Sequence, residues 1–232
     1  MAAELNILLA TAATIACLHT LAGPDHYIPF IALSKSRSWT LQKTLLWTTL
    51  CGTGHVLSSV LLGLIGAAIG YSMNWIGWIE SFRGDIAGWM IIGFGVVYTL
   101  YGLYFMRKNR LHKHFETTGE QVFVFEHRDN ETMVPHERHP VTPWVMFLIF
   151  VLGPCEPMIP LLFYPAAQDD PINMGILVLI YTLITLLVMT AMVLLGYFGI
   201  DLIRINNLEK KLPVLSGLAI LICGIGMVFM GW

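Results

Sequence analysis

The chain has 232 residues, of which 56% are hydrophobic and 12% charged, and its net charge is −2. Soluble domains carry about a quarter charged residues, so an ordinary globular protein is excluded. The near-neutral balance offers nothing to a nucleic acid. Apolar runs of about 20 residues recur along the chain, and each is long enough to cross a bilayer as a helix. The expected fold is therefore an all-α polytopic membrane protein with six transmembrane helices.

The first apolar run covers residues 6–33. No Lys or Arg precedes it and Glu4 is acidic, so it lacks the basic start of a signal peptide and reads as a span. It contains His19 and then Gly23-Pro-Asp-His-Tyr-Ile-Pro29. The second run, 44–71, carries Cys51-Gly-Thr-Gly-His55, followed by Ser58 and Ser59. Cys51 and His55 are four apart and share a helix face. Gly52, Gly54, Gly63, Gly66 and Gly70 leave room for close helix approach. Segment 72–85 reads as a connection, with 73–82 either a short interfacial helix or a loop touching lipid. The third run is 86–106.

Segment 107–142 is the one sizeable loop. Gln121-Val-Phe-Val-Phe-Glu126 alternates polar and apolar residues and is followed by Arg128-Asp-Asn-Glu131, which together predict a small hairpin. The loop also holds His112, His114, His127, His136 and His139, which read equally as a metal-binding tract or as solvated polar residues. The fourth run, 143–166, contains Gly153-Pro-Cys-Glu-Pro-Met-Ile-Pro160. Runs 174–200 and 213–232 complete the six.

Twelve of the thirteen basic residues lie in segments 34–43, 107–142 and 201–212, all on one side of a six-span chain. By the positive-inside rule that side is cytoplasmic, so both termini face outward from the cell (inner) membrane.

The Gly23–Pro29 and Gly153–Pro160 passages match apart from a one-residue insertion. They lie three spans apart and so enter from opposite faces. That predicts two inverted three-helix repeats with broken first helices, residues 1–106 and 143–232, joined by the loop 107–142. A proline inside a helix frees backbone groups, which lipid tolerates only where protein or a wet cavity meets them.

Asp25, His26 and Glu156 lie inside spans, where a charge costs about 2.5–3.5 kcal/mol even on lenient insertion scales. Imidazole, carboxylate and thiolate together suit borderline divalent metals such as nickel, cobalt or zinc. The expected ligands are His19, Asp25, His26 and His55 in the first half, and Cys155 and Glu156 in the second. The step of 32 residues from Gly23 to His55 leads from Gly153 to Thr185, so the two halves differ in chemistry. A disulfide framework is not expected of Cys17, Cys51, Cys155 and Cys223.

His19-Thr-Leu-Ala-Gly-Pro-Asp-His26 with Gly52-Thr-Gly-His55 resembles the nickel/cobalt transporter superfamily, and the His…Pro-Asp-His passage is similar to urease-accessory-like membrane proteins. The resemblance implies that His19, Asp25, His26 and His55 bind a transported metal. Five residues separate His19 from Asp25 where that family has four, and Val56 replaces its hydroxyl residue. Phe150-Val-Leu-Gly-Pro-Cys-Glu-Pro157 resembles the membrane domains of thiol–disulfide carriers of the cytochrome c biogenesis type. Those use one cysteine per repeat, whereas here Asp25 or His26 stands opposite Cys155.

The leading expectation is thus a non-enzymatic transporter of a divalent metal by alternating access. The metal is its substrate, no organic cofactor is implied, and the partners are the metal ion, the bilayer and a further copy of the chain if it forms a homo-oligomer. The alternatives are thiol–disulfide electron transfer through Cys155, and proton-coupled transport of another small solute.

Overall fold

A computed structural model describes residues 2–69, 73–108, 112–118, 121–127, 141–155, 157–166, 171–201 and 208–230. The first passage is broken as expected. Helix α1 (Ala2–Ala22) gives way to a 3-10 turn (Pro24–His26) and then to α2 (Ile28–Ser36). The cause is local: Gly23 is extended (φ −91°, ψ 92°), and Pro24 and Pro29 each sit in a first helical turn, where their missing N–H costs nothing. α2 ends on Ser38 at φ 51°. Trp39 N–H donates to Ser34 O at 2.8 Å and Ser38 N–H to Lys35 O at 3.4 Å, a left-handed helix cap formed without glycine.

Helix α3 (Leu41–Ile69) follows, then α4 (Met73–Lys108). α4 corrects the sequence reading. Residues 73–85 are neither a loop nor a separate interfacial helix, but the first turns of one 36-residue helix. No proline interrupts this stretch, and two charged residues within it, Glu80 and Arg83, pair with each other. Strand β2 (Gln121–His127) contains the expected alternating stretch, but its partner is β1 (His112–Thr118) before it rather than a strand after Arg128–Glu131, in antiparallel register from Thr118 opposite Gln121 to His112 opposite His127. The fourth passage is also broken, into α5 (Val141–Leu152) and α6 (Met158–Ala166). α7 (Pro171–Asp201) and α8 (Leu208–Met230) complete the chain.

Among the described residues, five helices are long and apolar enough to cross a membrane: α1, α3, α4, α7 and α8. The fourth run, expected as a broken helix, is the pair α5–α6.

α1 packs on α7, and α4 on α8. The α4–α8 contact is antiparallel and set by glycine. A methyl group built on Gly95 would lie 2.6 Å from Leu221 N, one on Gly102 2.8 Å from Val214 N, and one on Gly217 2.5 Å from Thr99 N. Gly88, Gly95 and Gly102 recur every seventh residue, as do Gly217 and Gly224, so each helix presents one glycine-lined face. The α3 glycines act in the same way toward other helices. Gly52 lies against Leu186 and Met189 of α7, Gly54 against Phe147 and Val151 of α5, and Gly63 against Leu162 of α6.

One end of the bundle is tied by Arg37. Its Nε donates to Tyr98 Oη at 3.1 Å and its second terminal nitrogen to Thr142 Oγ1 at 3.2 Å, while Ser36 Oγ and Tyr98 Oη are 2.7 Å apart. The exit of α2 is thereby fixed to α4 and to the start of α5.

Candidate metal centre

His19 sits in the last turn of α1, His26 ends the 3-10 turn, and His55 lies at the middle of α3. The break in the first passage brings them together. The His19 and His26 ring centroids are 4.9 Å apart and edge-on, and those of His26 and His55 are 5.0 Å apart and edge-on. One ring nitrogen from each lies within 4.8 Å of the others. His26 is 3% exposed and His55 5%, so water does not solvate these groups freely.

The far side of each ring decides what the near side offers. His26 Nδ1 faces Gly23 O at 3.1 Å and Asp25 Oδ1 at 3.2 Å, both acceptors. Nδ1 must then carry the proton, leaving a lone pair on Nε2. His55 Nδ1 faces Phe150 O at 3.3 Å, with the same result. The Nε2 atoms of His19, His26 and His55 are all buried without a hydrogen-bond partner. Orphaned polar atoms of this kind are costly in an apolar interior. Three imidazole nitrogens converging on one point are what a divalent transition metal needs, with a further coordination position left open.

Glycine makes room for two of the rings. A methyl on Gly23 would lie 2.6 Å from His26 Nδ1, and one on Gly153 3.3 Å from His55 Nδ1. The two Gly-Pro passages therefore meet at the histidines, one supplying His26 and the other bracing His55. A small cavity opens here, lined by Asp25, His26, His55, Phe150, Gly153 and Met227 among others.

The remaining expected ligands stand apart from this triangle. Asp25 is beside it, hydrogen-bonded to His26 as an orienting carboxylate. Cys155 is fully buried, and its thiol donates to Tyr181 Oη at 3.4 Å. Glu156 lies outside the described residues. Cys51 is buried among apolar residues that include Phe30 and Met189. Thr185, the positional counterpart of His55, is fully buried with its hydroxyl unpartnered.

The second break has its own polar support, which the sequence reading missed. Cys155 N–H donates to Ser59 Oγ at 2.9 Å, and Ser59 Oγ donates to Glu80 Oε2 at 3.2 Å. Arg83 pairs with Glu80 and donates to Ser58 Oγ at 2.7 Å and Val151 O at 2.8 Å. A guanidinium at the last carbonyls of α5 also suits the negative end of that helix dipole. The available signal was Glu80 and Arg83 three apart in a proline-free stretch, placed on one helix face.

The family described as cytochrome C biogenesis protein transmembrane region matches residues 10–228 of the chain. No curated protein and no solved structure matches it.

Proposed function

The chain belongs to the cytochrome c biogenesis transmembrane-region family, and from the geometry of its three buried histidines we propose that it carries a divalent transition-metal ion of the nickel, cobalt or zinc type across the membrane. The observation that carries the reading is the convergence of three buried, unpartnered imidazole nitrogens on His19, His26 and His55. The metal is the substrate. His26 and His55 bind it with Nδ1 anchored and Nε2 free, His19 adds the third nitrogen, and Asp25 raises the basicity of His26.

The broken passages supply the route. Helix pairs interrupted at Gly23-Pro24 and Gly153-Pro154 are the element that lets one half of a transporter move against the other around a central site. We read the chain as six passages arranged as two inverted repeats, and the distribution of its Lys and Arg residues puts both termini outside and the hairpin in the cytoplasm. The chain then works as a transporter rather than an enzyme.

Proteoliposomes loaded with a metal-sensitive dye test the proposal. Wild type moves Ni2+, Co2+ or Zn2+, and His26→Ala/His55→Ala does not; equal flux from the two sinks it.

A second reading is thiol–disulfide electron transfer through Cys155, and the family description fits it better than it fits metal transport. Cys155 also stands at the second break, where a redox cysteine of the biogenesis type is expected. Against it stands the spacing of the thiols. Cys155 is anchored beside Ser59, eight residues along α3 from Cys51, which is roughly 12 Å of helix. A disulfide requires Cα atoms within about 7 Å. Thiol oxidation by wild type that is lost in Cys155→Ser, with no metal flux by either protein, would establish the second reading in place of the first.

A further inference from the structure

We propose that Thr185 of α7 is a further binding residue of the membrane metal centre, its hydroxyl oxygen adding a donor to the three imidazoles. The proposal rests on the metal reading of His19, His26 and His55. Among the described residues, four buried side-chain nitrogen or oxygen atoms have no hydrogen-bond partner. Three are the Nε2 atoms of the centre, and the fourth is Thr185 Oγ1. A threonine inside a helix commonly gives its hydroxyl to the carbonyl one turn back. Thr20 does so to Ala16 O, Thr48 to Thr44 O and Thr182 to Val178 O. Thr185 does not, so its hydroxyl is turned away from the carbonyl of Tyr181. The residue is fully buried, where an unpaired hydroxyl is costly.

Packing puts Thr185 at the level of the first break. α7 runs along both halves of that passage, α1 and α2. Tyr181 belongs to the packed cluster that holds Ala12 and Ala16 of α1. Met189 belongs to the cluster that holds Phe30 and Leu33 of α2. Thr185 stands midway between Tyr181 and Met189 on the same helix face, one turn from each. The neighbouring Leu186 and Met189 lie against Gly52, three residues before His55 on α3. The two halves exchange partners: α3 packs on α5 and α6, as α7 packs on α1 and α2. His55 uses that arrangement to reach Phe150 O at the second break. Thr185 holds the same position in α7, which directs it to the first break, where His19 and His26 stand. A neutral oxygen beside three imidazoles adds a donor without adding charge, and the mixed set suits Ni2+, Co2+ or Zn2+ better than a thiolate-seeking Cu+.

The test is Ni2+ titration of the full chain in detergent, paired with X-ray absorption of the Ni2+-loaded protein. Thr185→Val removes the hydroxyl and keeps the shape. Its Ni2+ affinity should fall by about tenfold or more, in the range seen when a group at a metal site is lost. Its metal-free melting temperature should equal or exceed that of wild type, because an unpaired hydroxyl has been removed. Thr185→Ser should recover most of the affinity. Thr185→Cys should add a sulfur scatterer to the nickel spectrum that wild type lacks. Wild-type affinity in Thr185→Val, with no sulfur in Thr185→Cys, would overturn the proposal and leave the histidine centre standing. Weaker binding that comes with a lower metal-free melting temperature, again without sulfur in Thr185→Cys, would make Thr185 a packing residue and overturn it as well. Ni2+ binding that survives in His26→Ala/His55→Ala would remove the centre, and this proposal with it.

Discussion

His55 Nδ1 lies 3.3 Å from the carbonyl oxygen of Phe150, so the midpoint of α3 is hydrogen-bonded to the last turn of α5. This bond serves both partners. It satisfies a carbonyl that the Gly153-Pro154 break would leave orphaned, and it fixes which ring nitrogen of His55 is free. The first passage repeats the device, with His26 Nδ1 on Gly23 O at 3.1 Å. Each broken helix thus holds the back of an imidazole whose front faces the centre.

Enlarging Gly153 tests this coupling. A methyl there would meet His55 Nδ1 and Phe150 O, each at 3.3 Å. Gly153→Ala should weaken metal affinity by about tenfold or more, in the range seen when groups that orient a metal ligand are disturbed. Gly153→Val should do more. Isothermal titration in detergent measures it, and unchanged affinity in both variants would show that His55 is not held through this contact.

Asp25 acts through His26. Asp25→Asn keeps a hydrogen-bond acceptor near Nδ1 but removes the charge, so affinity should fall about 10–100-fold while saturating metal still fills the site. Loss of the bound equivalent even at saturation would instead make Asp25 a direct ligand.

Glu80 and Arg83 hold the second break without touching the histidines. Glu80 is 1% exposed. Glu80→Gln removes one partner of a buried ion pair, a change that typically destabilises by about 3–5 kcal/mol. Thermal unfolding in detergent should show the loss. Glu80→Gln/Arg83→Met should recover part of it, because no uncompensated charge then remains. A double variant less stable than the single one would contradict this account of the pair.

The α4–α8 interface offers an internal control. Gly95→Ala places a methyl 2.6 Å from Leu221 N, against backbone that cannot turn aside, whereas nothing lies within 4 Å of the same group on Gly93. Gly95→Ala should lower the melting temperature. Gly93→Ala should raise it slightly, since alanine favours helix over glycine by about 1 kcal/mol. Equal shifts from the two would contradict the close approach.

The membrane class, the apolar runs and both breaks are legible in the sequence because lipid imposes long apolar segments and Gly-Pro interrupts them visibly. His19, His26 and His55 stand out for the same reason: ionisable residues are rare in such runs. What sequence spacing does not carry is direction. Cys155 looks equivalent to Asp25 by position, yet its thiol turns to Tyr181. Glu80 and Arg83 read as part of a connection because their charges lower the local hydropathy, although pairing lets them remain inside α4.

The central claim is that three imidazoles in the membrane hold a metal. X-ray absorption on the Ni2+-loaded protein addresses it directly. The account predicts a nitrogen-rich shell with imidazole scattering, lost in His26→Ala/His55→Ala. A sulfur-containing shell, or no bound metal, would contradict it.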